Sequence, residues 1–227
     1  MGQYYQKINT LYYRDEKTGL IQPEKGYVQP EFTLLKDIKW EATEKVDGTN
    51  MSVHIIPAKD GNFSVEIHGK TEKANIPVHL LKRMNELFTV EKIREAFGEV
   101  ENTIILFGEG YGVKIQGAGG NYFTDKCDFI LFDVKIGSWW LKREDCESVA
   151  SKFGIDTVPI IGEMTIPEAE EIVKRGFKSK VAKANPDFEA EGLVLRAPLG
   201  LRARNGERLI VKVKTCDWRK YENSKIV

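Results

Sequence analysis

Cysteine is scarce in this chain: three in 227 residues, Cys127, Cys146 and Cys216, far apart and with no C-x-x-C pair. An odd, dispersed set argues against a disulfide framework and a cysteine zinc site, and for a reducing compartment. Histidine is equally sparse, and none of His54, His68 and His79 stands at ligand spacing from a cysteine, so each reads as an ordinary strand or helix residue. No apolar run approaches the ~20 residues of a membrane helix. The opening MGQYYQKINTLYYRDE is too polar for a signal peptide or anchor, so no membrane association and a cytoplasmic location are expected. Linkers rich in Gly, Ser or Pro, internal repeats and low-complexity tracts are also missing. Residues 1–227 are therefore expected to form a single α+β domain.

Net charge is zero, with 34 Lys and Arg against 34 Asp and Glu. The distribution is uneven. From Glu170 onward 14 basic residues stand against 8 acidic ones, while residues 1–169 hold 20 basic and 26 acidic. A basic last third can attract phosphates, although the whole molecule is no cationic coat for nucleic acid.

Hydrophobic residues at 41% and charged residues at 30% suit a globular chain. Short strands are predicted at 41–45, 51–56 and 63–68, with Lys59-Asp60-Gly61-Asn62 as a hairpin turn. Pro77 opens an amphipathic helix, PVHLLKRMNELF, followed by a second helical stretch, VEKIREAF. TIILF at 103–107 and FILFDVKI at 129–136 read as buried strands. Helices are predicted at 143–153 and 165–175, ended by Gly154 and Gly176, with TVPII between them as a strand. EGLVLR and RLIVKVK form two late strands around an Asn205-Gly206 turn. The glycine-rich GEGYGVKIQGAGGNYF matches neither G-x-G-x-x-G opening a helix nor GxxxxGK[ST], and reads as a flexible loop.

Chemistry-bearing residues recur at the ends of apolar strands: Glu44 and Lys45 in TEKVDGTN, Glu109 in ILFGEGYG, Asp133 in FILFDV, Glu191 in AEGLVLR, and Lys212 with Lys214 in LIVKVK. Lys212 and Lys214 lie two apart and so share one strand face. A lysine nucleophile, two separated carboxylates and a paired-lysine strand are what nucleotidyl transfer to a lysine needs. The nucleophile requires neighbouring cations to lose its proton, and charge on the reacting phosphates must be neutralised. Magnesium suits the hard oxygens of Glu109 or Glu191, with manganese as a substitute.

At these residues the chain resembles the covalent nucleotidyltransferases, the superfamily of polynucleotide ligases and mRNA capping enzymes. KVDGTN at Lys45–Asn50 is similar to their first motif, and HGKTEKA around Lys70, FGEGYG, FILFDV, EGLVLR and VKVK follow in the family's order. KxxGTN, with Asn50 where DNA ligases and capping enzymes usually carry Arg, resembles RNA ligases of the RNA-ligase-2-like, small phage type. The segments KINTLYYRD, PEF and DFILFDVKIGSWWLKRED resemble the same group. Lys70 departs from the Arg common there, keeping the charge and losing bidentate geometry.

The resemblance implies two antiparallel sheets with flanking helices and ATP held between them. It implies that Lys45 attacks the α-phosphate of ATP to form lysyl-AMP, with Asp47 also catalytic in an unassigned role. Glu44 would lie at the adenine end, Asn50 at the ribose or phosphate, Glu109 on the ribose hydroxyls and Phe132 on the adenine, with Phe129 in the core. Lys70 would contact the nucleotide or a 5′-phosphate. Glu191 would hold the metal, and Lys212 and Lys214 the α-phosphate. Thirteen residues follow Lys214, so no C-terminal OB or helical domain is expected. Substrate grip then falls to the segment Lys174–Lys183 and to Arg202, Arg204 and Arg208. The expected activity is ATP-dependent RNA ligation by a monomer, on single-stranded ends, a nicked duplex or a DNA/RNA hybrid. The alternatives are a minimal DNA nick-sealing ligase and a binding module without catalysis.

Overall fold

The computed structural model describes residues 4–225; the remaining positions of the expected 1–227 domain lie outside the described residues. In chain order the first elements are β1 (Asn9–Thr10), α1 (Pro30–Leu34), β2 (Trp40–Glu44), β3 (Thr49–Pro57), β4 (Phe63–Gly69), α2 (Val78–Leu87) and α3 (Val90–Phe97). Next come β5 (Ile104–Gly112), α4 (Gly119–Tyr122), β6 (Cys127–Ile136), β7 (Trp139–Trp140) and α5 (Arg143–Phe153). The last are β8 (Ile160–Met164), α6 (Ile166–Arg175), β9 (Gly192–Arg196), β10 (Ile210–Lys214) and α7 (Thr215–Ser224). No described helix is long and apolar enough to cross a membrane.

The chain divides into two compact units, each with its own sheet. The first comprises Asp47–Val158 with Tyr5 and Ala182–Asn185; the second comprises Gln6–Val46, Pro159–Val181 and the stretch from Pro186.

The first unit carries the sheet β4-β3-β5-β6-β7, antiparallel throughout. Period-two patterning buries Met51, Val53 and Ile55 of β3 with Ile104 and Leu106 of β5 against Leu80 and Met84 of α2. Along β6 the core members are Phe129 and Leu131, then Val134 and Ile136. That change of parity marks a β-bulge. Phe107 pairs with Asp133 and Gly108 with Leu131, which leaves Phe132 as the extra residue.

The glycine-rich stretch departs from the expected flexible loop. GEGYG continues β5 as a regular strand, and the chain then turns through Ile115, 1% exposed, into α4. The glycines are there for space. A Cβ on Gly108 would fall 2.4 Å from the carbonyl oxygen of Ile130 and 2.3 Å from the Phe129 ring, and one on Gly110 would fall 2.4 Å from Leu80.

The second unit carries the sheet β1-β10-β9-β2-β8, antiparallel except for the two-residue β1, which runs parallel to β10. Trp40 and Ala42 of β2, Leu193 and Leu195 of β9, and Val211 and Val213 of β10 pack against Ile166, Ala169 and Val173 of α6 and Trp218 of α7. Helix α6 begins with a full capping box, Thr165 accepting from the Glu168 N–H while the Glu168 carboxylate accepts from the Thr165 N–H. The expected TVPII strand is shifted. Thr157 bridges Leu131 in the first unit, and the strand itself runs Ile160–Met164 beside β2. Beneath α6, the buried Glu170 accepts from the hydroxyls of Tyr12 and Tyr27 at 2.5 and 3.0 Å, which ties the N-terminal segment to this unit.

Since a backbone carbonyl and a packed ring both crowd Gly108, Gly108→Ala should lower stability by about 1–3 kcal/mol. Gly117, where an added Cβ would meet nothing within 4 Å, should accept alanine within about 0.5 kcal/mol. Thermal or urea unfolding of both variants tests the assignment, and equal stability of the two would refute it.

Candidate active site

The second unit gathers its polar residues at the ends of β2, β9 and β10. Lys45 follows the last residue of β2, and its N–H donates to the carbonyl of Gly192 at 2.9 Å, which fixes its backbone beside β9. Glu191 immediately precedes β9, and its own carbonyl accepts from the Thr215 N–H just after β10 at 2.9 Å. These two anchors bring the side chains together. The Lys45 ammonium meets one carboxylate oxygen of Glu191 at 2.5 Å, and the Lys214 ammonium meets the other at 2.6 Å. All three side chains are partly buried, at 22%, 15% and 25% exposure for Lys45, Glu191 and Lys214.

Register explains why Lys212 and Lys214 face the same way. Val211 and Val213 point into the core, so the two lysines occupy the opposite face, across from Val194 and Gly192. Gly192 is required there: at φ 150°, its Cβ would lie 2.0 Å from the carbonyl oxygen of Val213. Burial would lower the Lys214 pKa, but the hydrogen bond and charge of Glu191 outweigh it and hold the ammonium above the ordinary lysine value.

Glu44 has a different setting. It is 1% exposed, and its carboxylate accepts from the Ser179 hydroxyl and, at 2.7 Å, from the Lys180 N–H. Burial pushes its pKa up against these bonds. Its side chain thus holds the 179–180 turn to the end of β2.

In the first unit Asn50 of β3 and Glu109 of β5 are directly paired across the strands, where Cβ atoms lie about 4.5–5.5 Å apart. Both sit on the face opposite the core, and the bulge brings Phe132 and Asp133 to that face too. Asp133 is fully buried and accepts from the Tyr5 hydroxyl at 2.7 Å; the Tyr5 ring packs edge-on against Phe132 at 5.0 Å. Phe129 is 1% exposed in the core. The Asp47 N–H donates to the Tyr122 hydroxyl at 2.9 Å. Gly48 packs so closely on β5 that a Cβ would fall 2.3 Å from the carbonyl oxygen of Gly110. Lys70 lies exposed just beyond β4.

Tyr5, Tyr122 and Ser179 therefore support site residues without having been marked by any motif. Only the aromatic lead-in and the NYF triplet carried a trace of the first two. Of the expected phosphate contacts, Arg202 and Arg204 are exposed, but Arg208 is 8% exposed and its N–H faces the side chain of Gln6 at 3.3 Å. Arg208 is thus corrected from a surface contact to a buried support of the hairpin. In the basic segment, Lys174, Lys178 and Lys183 pair with Glu171, Asp187 and Asp156. Such exposed pairs are screened by solvent and salt and contribute little.

Among the described residues no three His, Cys, Asp or Glu side chains cluster as a metal cage. Single carboxylates such as Glu191 and Glu109 fit magnesium or manganese held jointly with substrate phosphate oxygens.

A family model described as RNA ligase matches residues 38–214. The chain belongs to the RNA ligase family. The fold is also that of solved Naegleria gruberi RNA ligase structures. A lysine-to-alanine mutant with ATP and Mn has a TM-score of 0.59 at 20% identity, over 86% of this chain and 55% of that one. The same ligase with PPi has a TM-score of 0.60 at 20% identity, over 96% of this chain and 64% of that one. The chain thus spans 55% to 64% of the length of these two structures. No curated protein matches in a sequence search.

Because burial raises the Glu44 pKa, the folded chain keeps that proton to higher pH than the unfolded chain. Its stabilising contribution is complete below the ordinary value of 4.5 and is lost as pH rises through the folded value. Relative to Glu44→Gln, wild type should therefore lose thermal stability as pH rises above the ordinary value of 4.5. A gap in melting temperature that stays constant with pH would contradict this.

Proposed function

We propose that this chain is an ATP-dependent RNA ligase that joins 5′-phosphate to 3′-hydroxyl ends through lysyl-AMP. The carrying observation is the Lys45–Glu191–Lys214 arrangement in a member of the RNA ligase family. Residues 1–227 would act as one nucleotidyltransferase domain in the cytoplasm of a bacterium or a phage-infected host, as a monomer. RNA ends would be presented as single strands, in a nicked duplex or opposite DNA.

In the first step the Lys45 amine forms a bond to the α-phosphorus of ATP, the bond from that phosphorus to the bridging oxygen breaks, and pyrophosphate leaves. The amine must first lose a proton, and the arrangement provides for that. Glu191 is shared between the two ammonium groups, one carboxylate against two cations. Glu191 would hold the divalent cation, and the Lys214 charge beside Lys45 would then oppose a second ammonium there. The metal itself would shield the charge of the leaving phosphates. Lys212 and Lys214, on one strand face, are placed to hold the α-phosphate oxygens while charge develops there.

Asn50 and Glu109, side by side on β3 and β5, would take the ribose and its neighbouring phosphate, and Phe132 would stack on the adenine. Asp47, whose backbone Tyr122 holds, is assigned to the catalytic step. Glu44 would act through the 179–180 turn at the adenine end, and Lys70 would contact a 5′-phosphate or the nucleotide. AMP then passes to the RNA 5′-phosphate, and the 3′-hydroxyl oxygen displaces AMP to close the phosphodiester.

ATP labelled on its α-phosphate, incubated with magnesium and the protein, should leave label that survives denaturing electrophoresis. Lys45→Ala should abolish it, Glu191→Gln should reduce it by at least about 100-fold, and GTP should not substitute. Adding 5′-phosphorylated RNA should then transfer the label to the RNA end. Labelling by GTP would move the assignment to capping chemistry, and no labelling of folded protein would end the catalytic reading.

A further inference from the structure

Within the first unit, away from β3 Asn50 and β5 Glu109, a cleft of about 430 Å³ opens between α2 and the segment that joins β5 to β6. Lys82, Arg83 and Glu86 of α2 line one side, and Lys114, Asp125 and Lys126 of the joining segment line the other. Four permanent cations thus face two carboxylates. Arg83 and Lys126 are partly answered by Asp128, at 3.1 and 3.8 Å. Lys82 and Lys114 are exposed and form no ion pair among the described residues.

The wall that carries Lys114 is firmly shaped. Lys114 and Gln116 both hold positive φ, 59° and 52°, a conformation that side chains other than glycine, asparagine or aspartate seldom adopt. Between them Ile115 is buried at 1% exposure and its N–H donates to Gly112 at 3.0 Å. The Val113 N–H donates to Lys126 at 2.9 Å, and the Val113 carbonyl lies 3.2 Å from His79 Nε2 on α2. Gly119 fits so closely that a Cβ would fall 1.9 Å from the Gly112 carbonyl oxygen. Anchored on both sides of the turn, the backbone holds an unpaired lysine at the mouth of the cleft in a strained conformation. Strain kept in place by surrounding structure points to function, and unpaired cations across a polar cleft fit a phosphate oxyanion.

We propose that this cleft holds a backbone phosphate of the RNA strand between Lys82 and Lys114, as a contact additional to the adenylation residues. The proposal rests on the RNA ligase reading for the identity of the strand. Its chemistry, a phosphate oxyanion, is shared by the triphosphate of ATP, so the experiment separates the two sources.

The full chain is compared with Lys82→Gln/Lys114→Gly, in which glycine relieves the positive φ, and with the single reversal Lys82→Glu. Binding of a 5′-phosphorylated single-stranded RNA is followed by fluorescence anisotropy across a salt series, and lysine adenylation from labelled ATP is measured in parallel. The expected result is an affinity for RNA about tenfold weaker, with a log Kd against log salt slope shallower by about 1 for the double variant. Lys82→Glu should weaken binding as well, and adenylation should stay at the wild-type rate in both. Unchanged RNA affinity and slope overturn the proposal, as does a loss of adenylation with RNA binding intact, which would assign the cleft to ATP. If wild type binds RNA but forms no lysyl-AMP, the ligase reading fails while the variants still decide the cleft.

Discussion

The site in the second unit depends on one carboxylate shared by two ammonium groups. Glu191 can sit between Lys45 and Lys214 only because β9 is held on one side by β2 and on the other by β10. Each strand delivers its residue at an end, and backbone bonds from Lys45 to Gly192 and from Thr215 to Glu191 set the position of each. Removing two cations and one anion from water in part is costly, and the attraction at 2.5 and 2.6 Å offsets that cost in a setting of reduced dielectric. With one negative charge against two positive ones the group keeps a residual positive charge. That imbalance suits an anionic ligand.

The first unit reaches its geometry by backbone irregularity. A regular β6 would alternate Phe132 and Asp133 between the two faces. The bulge opposite Phe107 and Gly108 puts both on the face away from the core, the face that also carries Asn50 and Glu109. The same irregularity needs Gly108, because β6 itself presses the Phe129 ring and the Ile130 carbonyl toward that position. Core packing and site geometry are therefore one constraint here. Filling the space at Gly108 would disturb the strand that carries Glu109 one residue later.

Much of this was legible in the sequence, for identifiable reasons. Helices α5 and α6 fall where the spacing and the terminal glycines Gly154 and Gly176 put them, since those signals are local. The two lysines of β10 share a face because strand parity is a covalent fact. Even the bulge leaves a trace, the shift of buried positions from 129 and 131 to 134 and 136. Other features depend on partners far along the chain and have no local signature. Lys45 and Glu191 are 146 positions apart, and only the family's motif order brought them into one argument. Glycine content in GEGYG reads as flexibility until Phe129 and Leu80 are seen to occupy the space. Glu44 reads as a polar strand end until Ser179 and Lys180 are found around its carboxylate, and Arg208 looks solvent-facing until its burial is seen.

Zero net charge would be an odd property for a protein proposed to hold a polyanion, were total charge the relevant quantity. What a phosphate senses is charge within about a Debye length, roughly 10 Å at 0.1 M salt, and there the pairing of each cation matters more than the sum. By that measure the basic last third is more moderate than its composition suggests, because Lys174, Lys178 and Lys183 already have carboxylate neighbours and Arg208 is buried. The more acidic part of the chain, in contrast, holds Lys82 and Lys114 in one cleft without an ion pair among the described residues. Lys114 is fixed there by a turn that an unconstrained chain would avoid. Excess charge from Glu170 onward is thus a poor guide to where an anion would be held; the pairing of individual cations is a better one, and it directs attention to the first unit as well.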